Sequence, residues 1–374
     1  MRPGWLLRSC ALALAVAGCM PNVAADKIKA ARLLDVASID SARVLVSALA
    51  RRCPNDTGVL ALRVRLYSAE RRLREATDAL RLHDSLTGTH DSTMLMGVLE
   101  AAMKDADAVC VVFTIRACGE LAVAPAYALV RSALYDRNPM IRRAAVYAIP
   151  RYGRDDAVYA LASAILDDEP MVRGELLKSA MRLGDKRMLD LTRILQLDGN
   201  DGVLWYFANL RAVLGDGQMR AQIRQELDGE HEILAVDAAT TLARLGEERQ
   251  LRILAEGLRS EEECTRATAA RALGDLNADS YIDTLIAAAA DKAEFVREEI
   301  AYALGEMGDA KAVPALERLV HDSAPYVRAS ALVALARLRP TEQAALAALA
   351  DSSLVVRAAA LSALLDIQAR PAAK

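Results

Sequence analysis

The sequence predicts an all-α protein, a solenoid of stacked antiparallel helix pairs with a 31-residue period, and three observations carry that reading. The first is an arginine that recurs on a fixed ruler: Arg142, Arg173, Arg266, Arg297 and Arg328, with Leu204 and Ala235 on the two missing ticks and an off-beat copy at Arg357. The second is what travels with it. An aliphatic residue stands just before most ticks (Ile141, Val172, Val203, Leu234, Val296, Val327, Val356), and an aspartate stands six residues before (Asp136, Asp167, Asp198, Asp291, Asp322, Asp351). A glycine follows eleven residues after at Gly153, Gly184, Gly215, Gly246 and Gly308. The third is composition: 53% hydrophobic residues but only 4% aromatic, with Ala and Leu dominant. Small side chains let helix axes approach, whereas strands favour aromatic and branched residues. A period of this length is the mark of a stacked repeat.

The first 18 residues are of another kind. Arg2 and Arg8 give a positive start, Leu12 to Val16 an apolar stretch, and Val16-Ala17-Gly18-Cys19 a small-residue cleavage site, the three parts of a secretory signal peptide. The segment is too short for a membrane span of ~20 residues. The tetrapeptide ending at Cys19 resembles a bacterial lipoprotein lipobox. That resemblance implies cleavage before Cys19, acylation of its thiol and a membrane anchor, with residues 19–26 as lipidated cysteine and tether. Met20, in place of an aspartate, implies the outer membrane under the usual diderm sorting rule, with the protein facing the periplasm.

Residues 27–105 form a second region. Apolar spacing predicts helices near 27–36, 40–52, 57–70, 73–84 and 93–104, with Leu73, Ala76 and Leu80 facing in and Thr77 and Arg81 facing out. The polar stretch Thr87 to Ser92 reads as a loop. Leu60, Tyr67, Leu73, Ala76 and Leu80 resemble one tetratricopeptide unit, although Arg71 stands where that motif has glycine and no copy repeats at 34 residues.

From about residue 106 to 369 the regular array takes over, followed by a tail over 370–374. In one copy Ala310 to Asp322 makes the first helix, and the segment from Ser323 to Ala336 makes a short turn and the second. Pro139, Pro170 and Pro325 lie three residues before their arginines, in the first helical turn where a missing N–H costs nothing. The glycines close the helices with a left-handed residue, and the aspartates sit where their carboxylates accept N–H groups of the next helix start. Thr265-Arg266 through Ala269, Ala270 and Ala272-Leu273-Gly274, and Val296-Arg297 through Ala301 and Ala303-Leu304-Gly305, resemble the HEAT-repeat family in its short bacterial form. The resemblance implies a right-handed superhelix whose Val-Arg helices line the concave side, and an Asp–Arg ladder between repeats. Its members here are Asp136, Arg142, Asp167, Arg173, Arg266, Asp291, Arg297, Asp322, Arg328, Asp351 and Arg357. An arginine fork reaching a carboxylate of its own repeat and one of the next gives that ladder a structural role.

Other patterns exclude much. The net charge is −3 with no long basic run, and a duplex-binding protein carries a basic stripe, so nucleic acid is not an expected partner. There are four histidines: His83, His90, His231 and His321. Some HEAT-repeat hydroxylases bind iron through several His-Glu dipeptides, but His231-Glu232 is the only one here, and a metal needs several converging ligands. There is no Gly-rich phosphate loop, Gly-x-Ser-x-Gly or Cys-x-x-Cys. No cofactor, metal or enzymatic activity is expected; the alternative is a ligand-modifying enzyme of the HEAT-repeat lyase or metal-hydroxylase kind. Export would place Cys53, Cys110, Cys118 and Cys264 where disulfides are permitted. On one helix Cys110 and Cys118 would stand ~12 Å apart, too far for a bridge, so either a turn separates them or they are unpaired.

Function is sought where the ladder fails. Around the first missing tick lies Leu204-Trp205-Tyr206-Phe207. Trp205 and Tyr206 follow the tick at positions that family geometry places on the concave side, where they would suit a binding hot spot. Alternatively, a degenerate repeat has turned and buried them. Tyr147 and Tyr302, five residues after their arginines, face the same groove. Arg143, Arg151, Arg182, Arg244 and Arg337 oppose Glu175, Asp237, Asp275, Glu298, Glu299 and Glu306 there. The expected function is a lipid-anchored scaffold binding an envelope protein or peptide along its concave face.

Overall fold

The structure is a computed structural model that describes residues 23–87, 91–105 and 107–370. The lipidation candidate Cys19, His90 and the tail over 371–374 lie outside these. Among the described residues all regular structure is helical, and no helix is long and apolar enough to cross a membrane. The chain divides into two compact units at residues 104 and 105.

The first unit holds α1 (23–35), α2 (Ile39–Arg52), α3 (Thr57–Ala69), α4 (Leu73–Thr87) and α5 (Ser92–Ala102). Asp56 and Asp91 cap α3 and α5 by accepting backbone N–H groups. Arg71, in the place of the expected glycine, takes the left-handed conformation itself, with φ 56°. The reading of Thr77 as outward-facing is corrected. It is fully buried, because its hydroxyl donates to the carbonyl of Leu73 at 3.0 Å and so needs no water.

The second unit alternates outer and inner helices. The first inner helix is α6 (Ala108–Glu120), followed by α7 (Tyr127–Ser132), α8 (Pro139–Ala148), α9 (Ala157–Leu161), α10 (Pro170–Leu183), α11 (Arg187–Thr192), α12 (Asp201–Val213) and α13 (Gly217–Gln225). Then come α14 (Glu232–Arg244), α15 (Leu251–Gly257), α16 (Glu263–Asp275), α17 (Ile282–Ala288), α18 (Glu294–Met307), α19 (Val313–Leu319), α20 (Pro325–Leu338), α21 (Glu342–Ala348) and α22 (Leu354–Ala369). Pro139, Pro170 and Pro325 are each the first residue of an inner helix. All five spaced glycines have positive φ, and on two other copies Ala122 (φ 51°) and Asn277 (φ 49°) make the same turn without glycine.

The even-numbered helices pack on one another in succession, and then α22 packs against α6. The array is therefore a closed ring of nine inner helices, and the open groove expected for the concave face becomes a lumen. Small residues set the close approach. A Cβ added at Gly119 of α6 would lie 2.5 Å from that of Ala148 in the adjoining repeat, and one at Gly274 of α16 would lie 2.5 Å from the Cα of Ala303 in α18. The seam is fully packed: α22 is buried almost continuously from Val355 to Asp366.

The ladder has five bidentate rungs, each from an arginine to the aspartate of the following repeat: Arg142 to Asp167, Arg173 to Asp198, Arg266 to Asp291, Arg297 to Asp322 and Arg328 to Asp351. One part of the expectation is corrected. Within its own repeat the arginine reaches a backbone carbonyl, not the carboxylate: Arg142 donates to Asp136 O and Arg297 to Asp291 O, both at 2.9 Å. The own-repeat carboxylate is turned away to accept an N–H two residues on, as Asp136 does from Asn138. At the last tick Arg357 donates to Asp351 O at 2.6 Å. Across the missing rungs, Asn209 of α12 accepts from Thr241 of α14, and Glu247 gathers Arg220 and Arg224 of α13.

Candidate binding site in the lumen of the ring

Inner-helix side chains two and five residues after the tick on most copies, and nine residues after it at Arg182, Arg244 and Asp275, line the ring interior, which encloses a cavity of about 710 Å³. Its mouth lies at the N-terminal ends of the inner helices and is apolar. Val109, Met140 and Phe295 stand there 42%, 43% and 44% exposed. Phe113 stacks on Tyr326 with ring centroids 4.9 Å apart, joining α6 to α20 across the wall.

Deeper in, charge takes over. Arg116 donates to Glu298 at 3.0 Å, Arg143 to Glu175 at 3.4 Å and Arg271 to Glu299 at 2.6 Å. The rings of Tyr147 and Tyr302 lie against Arg271, at 5.6 and 4.4 Å, so cation–π attraction supplements the ion pairs. Lys178 lies 4.2 Å from the ring centroid of Tyr206, whose hydroxyl donates to Asp237 at 3.4 Å.

The floor is built from the C-terminal turns, where positive side chains suit the helix dipole. Arg182 Nη2 and Tyr302 Oη donate to the two oxygens of Asp275, at 3.1 and 2.5 Å. Arg151 bonds Tyr147 O and Tyr302 Oη. Burial alone would raise the Asp275 carboxyl, but Arg182, Arg151 and Arg271 outweigh it and hold it far below the usual carboxylate range. Arg244 lines the same floor without a hydrogen bond or ion pair to any described residue. Burial holds its guanidinium below the ordinary value; Asp275 opposes this and Arg182 adds to it.

The sequence-derived candidates separate here. Tyr206 and Tyr147 line the cavity, and Tyr302 lies beside it in the wall network. Both Tyr147 and Tyr302 are buried, so neither is the exposed groove residue expected. Trp205 is not in the lumen. One position earlier on the helix, it turns toward the neighbouring helices and packs on Ala212, Ile223, Ala238 and Leu242. The assigned concave charges Arg143, Glu175, Arg182, Asp237, Arg244, Asp275, Glu298 and Glu299 do line the cavity. The sequence carries a signal for the mouth: the position two before most ticks holds a large apolar or aromatic residue (Val109, Met140, Met171, Ile233, Phe295 and Tyr326), the exceptions being Gly202 and Cys264.

Cys110 and Cys118 share α6 and are unpaired, as are Cys53 and Cys264. Among the described residues no group of three or more His, Cys, Asp or Glu converges in a manner that could hold a metal ion. His231 is the exposed N-cap of α14, and His83 sits 3.2 Å from its neighbour Asp84 in α4.

Comparison with known proteins bears on the array. HEAT repeats match over residues 95–181, 127–205 and 251–336, together more than half of the chain. No curated protein matches the sequence significantly. Human deoxyhypusine hydroxylase in complex with glycerol is 22% identical, with 73% of this chain and 99% of that one covered and a TM-score of 0.38. An engineered protein is 14% identical, with 92% of this chain and 99% of that one covered and a TM-score of 0.34. Neither of these two likenesses extends to what this chain does. The repeats carry the relationship, and on them this chain belongs to the HEAT-repeat family.

Proposed function

We propose that this protein is a binding scaffold of the bacterial cell envelope, held at the membrane by acyl chains on Cys19, that receives a segment of a partner protein in the lumen of its HEAT-repeat ring. The observation that carries the reading is the closure of α22 on α6. A closed ring offers no long groove for a folded domain. Its cavity of about 710 Å³ falls in the ~300–1,000 Å³ range of pockets that enclose small ligands, which suits an extended chain end. The mouth supplies apolar contacts, the wall supplies aromatic rings and fixed charges, and binding requires no chemistry of the partner. An acyl anchor raises the effective concentration of the site near envelope partners, and the lipobox resemblance at Cys19 with Met20 after it supports a position on the periplasmic side of the outer membrane.

Photo-crosslinking in intact cells tests the site. A probe at Met140 on the mouth is expected to capture an envelope protein that a probe at Tyr159, exposed on the outer surface, does not. Equal capture at both positions, or none at Met140, would remove the lumen from consideration. For the anchor, labelled palmitate is expected to enter the wild type and not Cys19→Ala; equal incorporation would count against it.

A further inference from the structure

The lumen does not balance its charges evenly along its depth. Toward the mouth three arginines each have a carboxylate: Arg116 has Glu298, Arg143 has Glu175, and Arg271 has Glu299, while Lys178 lies over the Tyr206 ring with Glu175 and Asp237 nearby. On the floor the arithmetic changes. Asp275 alone faces Arg182 and Arg244, with Arg151 4.0 Å away. Its two oxygens are already taken by Arg182 Nη2 and Tyr302 Oη. What remains is donor capacity without acceptors: Arg182 Nη1 is buried with no partner, and the half-buried Arg244 beside it makes no hydrogen bond or ion pair among the described residues. Buried donors in folded proteins are almost always satisfied, and a guanidinium fork is shaped to take two oxygens of one oxyanion.

We propose that the floor of the lumen is a carboxylate subsite, in which Arg182 Nη1 and Arg244 take the anionic end of an amphipathic ligand whose apolar body lies along Val109, Phe113, Met140 and Phe295 at the mouth. This rests on the lumen being the binding site and adds the chemistry of what enters it. The order of groups is the argument. An apolar rim above a floor with spare guanidinium donors matches a ligand with one charged end and an apolar body, inserted charge first. A cationic end would meet Arg182 and Arg244 unshielded, and a wholly apolar ligand would leave their donors unsatisfied. Two sources present this chemistry: the carboxy terminus of a protein chain ending in apolar residues, and a free acyl carboxylate.

The full mature chain with Cys19→Ala, which needs no detergent, allows a direct test by calorimetry. Its sole remaining tryptophan, Trp205, packs beside the Asp237 wall and supplies a parallel fluorescence signal. The probes are the peptide Ala-Leu-Val-Leu-Phe with a free and with an amidated C-terminus, and decanoate against decanamide. At least one carboxylate is expected to bind at least about tenfold more tightly than its neutral counterpart, the scale of a hydrogen bond to a charged group. Arg244→Gln is expected to remove that preference without lowering the melting temperature, since Arg244 holds no partner in the fold and its buried charge is a cost to it. Binding of the peptide alone identifies a chain terminus, and binding of decanoate alone identifies an acyl carboxylate. Equal affinity for charged and neutral probes, or a preference that survives Arg244→Gln, overturns the proposal. If no probe binds while the Met140 crosslink still captures a partner, the carboxylate assignment falls and the lumen stands. If both fail, the lumen falls as well.

Discussion

Cys118 Sγ lies 3.4 Å from Ser362 Oγ, a contact between residues 244 apart in sequence that joins α6, the first inner helix, to α22, the last. Repeat arrays ordinarily need terminal copies with a polar outer face to cap an otherwise exposed core. Here the two ends cap each other. The closure also determines the function proposed, because it turns a concave surface into a lumen with a mouth and a floor.

The ladder makes a quantitative claim about stability. Arg297 and Asp322 are 15% and 10% exposed as side chains and 2.7 Å apart, and removing one partner of a buried pair costs ~3–5 kcal/mol. Arg297→Ala should therefore destabilise the ring by about that amount, and Asp322→Ala should cost less on top of it than alone, giving a coupling of ~0.5–3 kcal/mol in a double-mutant cycle. Denaturant melts of the four proteins decide it; additive losses would mean that the rung is not a unit. The hydrogen bond from Arg297 is the main cause holding the Asp322 carboxyl below its ordinary value, against burial. A lowered native value means that this stabilisation is complete above the unfolded carboxylate range near ~3.9 and fades only as pH falls through the native value. The difference between wild type and Asp322→Asn should thus be flat from neutral pH down to about 5 and shrink below ~4.

Asp237 has the opposite sign. Burial raises its carboxyl above the ordinary value, with Lys178, the nearby Trp205 ring and the Tyr206 hydroxyl only partly compensating. Its native state holds a proton more firmly than the unfolded chain does, so its charge destabilises the fold at neutral pH and the penalty disappears as pH falls through the native value. Asp237→Asn, which keeps an acceptor for Tyr206, should raise the melting temperature at pH 7 and lose that advantage in acid. A lower melting temperature at pH 7 would mean that attraction to Lys178 outweighs burial.

Thiol chemistry reports on the packing of α6. Burial pushes the Cys110 and Cys118 thiols up to about 12, and the thiolate is the reactive form, whereas Cys264 is exposed. Mass-spectrometric mapping after brief alkylation at pH 8 should find Cys264 modified and both α6 cysteines untouched until denaturant is added. Native labelling of Cys118 would place the α6–α22 seam in solvent.

Much of this structure was legible because its signals are local. A proline at the first turn, a left-handed residue past the last and an arginine on a fixed tick each act within one repeat, so the helix pairs of 106–369 could be read from the chain. Closure could not. Whether an array spirals or shuts depends on small rotations summed over nine inner helices, and those are set by side-chain contacts such as Gly274 against Ala303. The ladder was read in the right residues but with the wrong second acceptor, since Arg142 bonds the carbonyl of Asp136 where a carboxylate had been expected. Trp205 and Tyr206 show the limit of spacing arguments. A step of one residue along α12 is enough to send one ring into the inter-helix core and the other to the lumen.

Ring closure is the central claim, and a single cysteine tests it. Ser362→Cys places a thiol opposite the native Cys118, and refolding under an oxidising glutathione buffer gives both access to exchange. Mass spectrometry of the unreduced protein should then find an intrachain disulfide between positions 118 and 362, absent when Cys118→Ser is added. Two free thiols in a protein with native helicity would contradict the closed ring and return the array to an open solenoid.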